Sequence, residues 1–481
     1  MRKFFVKNII FLILVNLIVK PLWIFGIDQN VQVAVGHEVY GQYVALLNFS
    51  IIFQVMLDFG LQNYNNRTVA QSPQTIKTLF PNIVIAKGVL SLGYIVLVLG
   101  LGLVWGYSGY PLFLLLLLCF VQVLNSFLLY LRSNISAMQK FKTDSMMSIM
   151  DKLFMIAICS VLLFYYSSKA NFQIEWFIYA QIAAYLLTAV IAFVASTQLS
   201  KIDWTHYDLK KVWLICKQSV PYALLIFLMA IYSRSDISLM ERLLDNGKYE
   251  AGVYVASFRF FDTANNVTGV LFASILLPLF GRMLANKEAV QPLIKLSLNL
   301  ILPIGITTVF VAWFFGNDIM RFSLKSIASD YDGQVLSLLM IAFPGYCIGY
   351  VYATLLTANG NLKPLIVISI CAVMLNLIMN FILMPLYGAV GAAITCFVTQ
   401  AFVSVANIWT AQKLLKLKSD GRWVVQYLLF TFLVYFICKV CFQLEVSLLQ
   451  NLIIIAFAAM LTMFICGFLP FKKMLELLRN R

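Results

Sequence analysis

GQYVALLNF, residues 41–49, and GVYVASFRF, residues 252–260, carry the same Gly, Tyr, Val, Ala and final Phe in the same register, 211 positions apart. The eighth position differs, Asn48 in the first copy and Arg259 in the second. A second echo lies further along: AMQKFK, residues 137–142, and ANGNLK, residues 358–363, are 221 positions apart. Two matches at similar offsets indicate an internal duplication, and its meaning depends on the solvent in which the copies sit.

That solvent is lipid. The chain is 62% hydrophobic and 11% charged, against roughly 25% charged in a soluble domain. Apolar runs long enough to cross a bilayer recur from end to end. The N-terminal stretch MRKFFVKNIIFLILVNLIV has the basic start and apolar middle of a signal peptide, but Lys20-Pro21-Leu22-Trp23 follows where a small-residue cleavage site would stand, so it reads as an uncleaved first span. The +15 net charge reflects basic cytoplasmic loops rather than a nucleic-acid partner. Nine cysteines lie in or beside apolar stretches; Cys438 and Cys441 form a CxxC inside a span and read as packing residues. No metal-ligating cluster is evident.

The sequence predicts an all-α polytopic membrane protein of about 14 spans, near 8–26, 41–63, 82–104, 110–131, 146–166, 175–197, 218–240, 251–280, 293–315, 334–358, 364–384, 388–411, 423–441 and 446–468. Lys and Arg alternate by loop, with about 24 on one side, about five on the other and about six within spans. That asymmetry places both termini in the cytoplasm, as an even span count also requires. Both copies of the glycine phrase then open a span at its external end, so the second and eighth spans run the same way. Units of six spans related by an axis along the membrane normal follow: an N-terminal six-helix lobe over 1–210, a C-terminal six-helix lobe over 211–412, and two extra helices with a basic tail over 413–481. The external stretches near Asp28–Tyr40 and Gly316–Gly333 are too short to fold as domains, which puts the working site within the membrane.

Ionisable groups inside spans mark functional sites. Lys20, Asp58, Arg234, Asp236, Arg259 and Asp262 lie deepest; Lys87, Lys295 and Lys439 lie near span ends and are expected to snorkel. Arg259, Asp262 and Asn266 are spaced i, i+3, i+7 and share a helical face. Asn16 and Lys20 share a face of the first span. Ser50, Gln54 and Asp58 form a stripe on the second, with Asn48 offset. Arg234 and Asp236, two apart, point to different sides of the seventh. Some of these charges lock helices together as ion pairs; a cavity with cations at its walls suits an anionic group such as a phosphate, which Arg meets with planar, bidentate donors. Asp58, Asp236 and Asp262 are candidates for ion coupling or structural pairing.

The eighth-span segment YEAGVYVASFRFFDTANNVTGVLFASILLPLFGR, residues 249–282, resembles the corresponding segment of the Wzx-type O-antigen flippases of the MATE-like (MOP) exporter superfamily. SRSDISLM, residues 233–240, fits their motif, residues 20–71 look like the bacterial polysaccharide-biosynthesis branch, and PLYGAVGAAI, residues 385–394, is similar to their twelfth span. The resemblance implies fourteen spans in two lobes forming a V. It implies a transporter, not an enzyme, that moves undecaprenyl-pyrophosphate-linked oligosaccharide across the bacterial inner membrane by alternating access. Arg259 matches the arginine that lines the central cavity in the lipid II flippase, and Lys20 lies in a first-span region where cavity basics occur. Arg234, Asn16, Asn48 and Asn266 complete the candidate substrate-binding set. No cofactor is implied and the coupling ion is not assigned. The partners are the lipid-linked anionic oligosaccharide, the bilayer, and room for polysaccharide polymerase and assembly proteins. A MATE-type antiporter of small cations, expected to have an acidic cavity, is the rival within the fold. A polytopic glycan polymerase or ligase would need catalytic groups from the few external candidates, Asp28, His37, Glu38, Asp318 and Asp330.

Overall fold

The computed structural model describes Val19 and residues 21–138, 140–166, 172–198, 209–265, 271–417, 421–444 and 446–468. The regular elements of these residues are helical. A π-helical turn, Leu22–Asp28, leads into α1, Gln29–Ile52. There follow α2 (Leu61–Gln71), α3 (Ile76–Val104), α4 (Tyr110–Ala137), α5 (Phe141–Val161), α6 (Ile174–Gln198), α7 (Leu209–Leu243) and α8 (Gly247–Asn265). The second part holds α9 (Leu271–Ala285), α10 (Gln291–Leu324), α11 (Asp330–Met340), α12 (Phe343–Ala358), α13 (Leu362–Leu415), α14 (Gly421–Phe442) and α15 (Leu448–Ile465).

Lipid contact explains their surfaces. Ten of these segments are long and apolar enough to cross a membrane. They expose large aliphatic side chains, such as Val104 at 85%, while polar residues such as Asn134, Thr188 and Asn376 are buried. A soluble protein shows the reverse pattern. The 54-residue α13 is two spans, not one: Gly388 (φ 57°, ψ −134°) interrupts it after Pro385, a backbone conformation open to glycine and strained for other residues. The two spans expected at 364–384 and 388–411 meet at this turn.

Two expectations are corrected. The stretches taken as external loops, Asp28–Tyr40 and Gly316–Gly333, are largely helical, because α1 begins at Gln29 and α10 runs to Leu324. A helix of 34 residues is about 51 Å long, well beyond the roughly 30 Å hydrocarbon core. The second span, expected as one helix over 41–63, is broken. Of the eighth, expected over 251–280, the structure describes α8 and α9, and residues 266–270 lie outside the described set.

The chain forms two compact units. The first is Met1–Arg242 with Asn246–Gly252, the second Leu243–Asp245 with Val253–Arg481. The lobe boundary placed at 210/211 from the repeat falls at the start of α7, all but the last residue of which lies in the first unit. The first unit's core joins Leu61, Phe80, Tyr130, Leu131 and Ala192. In the second unit α14 and α15 pack on α10, with Phe315 against Phe430, Val434, Ile455 and Ala459. Cys438 and Cys441 are buried free thiols within that cluster.

The two repeated glycines meet. A Cβ on Gly41 would overlap the carbonyl oxygen of Lys248 and lie 2.6 Å from the nitrogen of Gly252. A Cβ on Gly252 would overlap the carbonyl oxygen of His37 and lie 2.8 Å from its Cα. His37 and Gly41, four apart on α1, face Lys248 and Gly252, four apart at the start of α8. The same contact is made twice with roles exchanged. Gln32 fastens it: its side-chain amide donates to the Gly252 carbonyl at 2.8 Å and lies 3.0 Å from His37 Nδ1. Small residues admit such close backbone approach, which is how helices associate in lipid. Gly41→Ala is therefore expected to destabilise the protein by about 1–3 kcal/mol, as overpacking does. Gly93→Ala, where an added Cβ meets nothing within 4 Å, should be neutral or stabilising by about 0.5–1 kcal/mol. Thermal unfolding of the two purified variants checks this; equal losses would overturn it.

Candidate functional site

The break in the second span starts where α1 ends, at Ile52. One 3-10 turn, Gln54–Leu57, follows. Phe59 and Gly60 then take left-handed conformations (φ 42° and 81°), and α2 begins at Leu61. Phe59 is not glycine, so this backbone is strained by about 1–3 kcal/mol. The expected stripe of Ser50, Gln54 and Asp58 is consequently not continuous, because the helix that would align them ends before Gln54.

Asp58 sits at the break, 29% exposed by its side chain, 3.2 Å from the ammonium of Lys87. Its carboxylate also accepts the backbone N–H of Gln62, in the first turn of α2, at 3.2 Å. A carboxylate is stabilised at a helix N-terminus by the dipole and by orphan N–H groups. Lys87, on α3, does not snorkel as its place near a span end suggested: it is 1% exposed. Its ammonium donates to the carbonyl of Leu57 at 2.9 Å and to Ser126 Oγ, on α4, at 2.7 Å. The broken backbone supplies a bare carbonyl that a regular helix would not, and this draws the lysine inward. A cavity of about 340 Å³ borders Gln54, Asp58, Gln62 and Ser126.

The other candidate residues are more dispersed. Asp236 is 3% exposed on α7, two residues from the half-buried Arg234. Nearby Ser238 donates to the Ala45 carbonyl at 2.8 Å. Arg259 is 8% exposed on α8, between aromatic neighbours; Tyr254 and Phe258 stack at 5.9 Å, and Phe261 meets Tyr346 edge-on at 4.8 Å. Asp262, half-buried, lies on the Arg259 side of the same helix, and Thr263 Oγ1 donates to the Arg259 carbonyl at 2.7 Å. Asn48, at the position equivalent to Arg259, is 3% exposed and its amide donates to Val44 O at 2.9 Å. Its Oδ1 is buried and accepts no hydrogen bond among the described residues. Asn16, Lys20 and Asn266 lie outside the described residues.

Several buried polar groups escaped the sequence reading. Asn65 on α2 donates to Ser133 Oγ and Asn134 Oδ1 on α4, both at 2.9 Å. On α13, Asn380 donates to Asn376 at 3.1 Å, and Thr395 and Thr399 are fully buried. Their spacing of four within apolar sequence was the available signal. The external candidates are diverse in setting: Asp28 accepts from Tyr40 at 2.7 Å, His37 is buried at the glycine crossing, and Asp330 pairs with Arg321 at 2.8 Å in the open. Asp318 borders a second cavity, of about 460 Å³, with Trp313, Asn317 and Gln334. Among the described residues no group of three or more His, Cys, Asp or Glu side chains is placed to hold a metal.

Many apolar spans with sparse buried charges mark a multi-pass membrane protein, and the comparisons give its fold. The structure is similar to "Lipid II flippase MurJ, inward closed conformation", with a TM-score of 0.72, 14% identity, and coverage of 98% of this chain and 99% of that one. It is also similar to a mutant form of the Vibrio cholerae MATE transporter VcmN (TM-score 0.61, 17% identity, 87% and 98% covered). A MOP superfamily transporter from Pyrococcus furiosus, described as having a binding pocket of reverse polarity, gives a TM-score of 0.58 at 14% identity, with 86% and 96% covered. The chain shares its fold with these solved structures. The sequence model of the polysaccharide biosynthesis protein family matches residues 5–284, more than half of the chain, and the chain belongs to that family. No curated protein sequence matches it.

The Asp58–Lys87 pair generates an asymmetric prediction. Asp58→Asn leaves an ammonium buried with one charge unbalanced, and should lower stability by about 3–5 kcal/mol. Lys87→Met leaves a carboxylate that still meets the cavity and the α2 N-terminus, and should cost about 1–3 kcal/mol. Thermal unfolding in choline chloride measures both. The reverse order would mean that Asp58 is the more deeply desolvated partner.

Proposed function

We propose that the protein is a flippase for undecaprenyl-pyrophosphate-linked oligosaccharide, an O-antigen or other surface-polysaccharide repeat unit, moved from the inner to the outer leaflet of the bacterial inner membrane by alternating access. The observation that carries this reading is Arg259: a guanidinium only 8% exposed on α8, in a chain of the polysaccharide biosynthesis family whose fold resembles that of a lipid II flippase. Insertion of an arginine at mid-span costs roughly 2.5–3.5 kcal/mol, which argues for a task. The pyrophosphate of a lipid carrier matches its planar donors. The role is transport rather than catalysis. A MATE-type antiporter of small cations is the second reading, favoured by the likeness to VcmN; buried Arg259 sets it lower, because a cationic cargo calls for acidic walls.

Arg259→Ala is expected to leave the protein inserted at normal abundance and to stop export of surface glycan. Arg259→Lys should retain part of the activity, having the charge without the bidentate fork. Surface glycan measured beside membrane abundance decides it. Full export by Arg259→Ala at normal abundance would sink the role. Lost abundance restored by Arg259→Ala with Asp262→Ala would assign Arg259 to a structural pair.

The basic-loop asymmetry supports cytoplasmic termini. In a cysteine-free background, exposed Glu38→Cys should react with a membrane-impermeant thiol reagent added to intact cells. Exposed Lys416→Cys should react only after permeabilisation. Labelling of Lys416→Cys from outside would invert the topology.

A further inference from the structure

Three oxygens of different kinds converge on the ammonium of Lys87: the Leu57 carbonyl at 2.9 Å, Ser126 Oγ at 2.7 Å and Asp58 Oδ1 at 3.2 Å. A protonated lysine has three donors and no acceptor, so each of its hydrogens meets one oxygen. We propose that the break in the second span builds a site for one monovalent cation, and that Lys87 fills it permanently with a tethered ammonium. Carbonyl, hydroxyl and carboxylate oxygens are the hard ligands that closed-shell metal cations take. Unwound backbone inside a membrane is where such carbonyls become available.

Two further observations shape the site. The Ser126 hydroxyl proton points to the Leu57 carbonyl at 3.3 Å, which leaves the Ser126 lone pairs for the cation. The net charge of the oxygens is the single negative charge of Asp58, already part-compensated by the Gln62 N–H. One positive charge therefore suffices, which favours a singly charged occupant over a divalent ion. The 340 Å³ cavity bordering Asp58 and Ser126 gives an ion or water a way in once the lysine side chain is removed. In the native protein the first unit thus carries its own counter-cation at this place. It takes none from solution there, and coupling to an ion gradient, if the transporter uses one, runs through other residues.

The test is thermal unfolding of the full-length protein in detergent, in sodium, potassium and choline chloride at equal ionic strength. The native protein should unfold at one temperature in all three. Lys87→Ala opens the three oxygens, and its Tm should rise by about 2–4 °C in sodium or potassium over choline, as ligand linkage predicts for an occupied site in a unit of this size. Lys87→Ala with Asp58→Asn keeps the carbonyl and hydroxyl but lacks the charge, and should show no such rise. The proposal is overturned by a Lys87→Ala protein that unfolds alike in all three salts or folds in none. It is equally overturned by a rise of the same size in the native protein or in the double variant, since the ion would then bind elsewhere. None of these readings depends on what the transporter carries.

Discussion

Hydrocarbon offers no hydrogen bonds, so each backbone group inside the membrane must find its partner within the protein. The irregular parts of this molecule are organised by that demand. Where α1 ends, the freed carbonyls are taken by side chains reaching in from other spans. Tyr94 donates to Ser50 O at 2.8 Å, and Lys87 and Ser126 serve Leu57 O. Elsewhere Tyr130 donates to Phe80 O, one residue before Pro81, at 3.3 Å, and Ser404 donates to Gly345 O at 2.6 Å. Hydroxyls and one ammonium do what water does at the surface of a soluble protein.

The same demand links architecture to function. A continuous helix buries a charge only at a penalty, whereas a broken one exposes carbonyls and a fresh N-terminus that make the charge welcome. Asp58 and Lys87 sit at such a break. Arg259 sits on an uninterrupted turn of α8, in surroundings that include Tyr254, Phe258 and Phe261. One charged group is held by the fold's own repair of its backbone; the other stands on a helix whose ladder is already complete. That contrast marks Asp58 and Lys87 as a pair that the broken backbone itself holds in place.

Much of the fold was legible because membrane spans advertise themselves by length and apolarity. The glycine phrase was legible as a repeat, but not the close approach of Gly41 and Gly252, which depends on where the two stretches meet in the fold. The hairpin of α13 could be read from PLYGAVG. The fate of Lys87 was not. Its closeness to the end of a span suggested snorkelling, and its burial follows from the Leu57 carbonyl, in a turn of another span that is left bare because Phe59 and Gly60 turn left-handed. No local pattern around residue 87 encodes that. The buried amides Asn376 and Asn380, with Thr395 and Thr399, were visible as polar residues four apart, but attention to charge passed over uncharged groups. Asn16, Lys20 and Asn266 were chosen from sequence and lie outside the residues that the structure describes.

The glycine crossing also constrains how the two similar stretches of sequence can change. Sites in similar segments ordinarily drift apart wherever they do not share a task. Here position 41 is closed to larger side chains by the backbone of the other copy at 248 and 252, and position 252 by the backbone at 37. Neither glycine can be released by a compensating change in a neighbour's side chain, because the obstacle is main chain, which every amino acid possesses. The pair is therefore frozen jointly, while Asn48 and Arg259, seven residues on from each glycine, carry no such restraint and differ in chemistry.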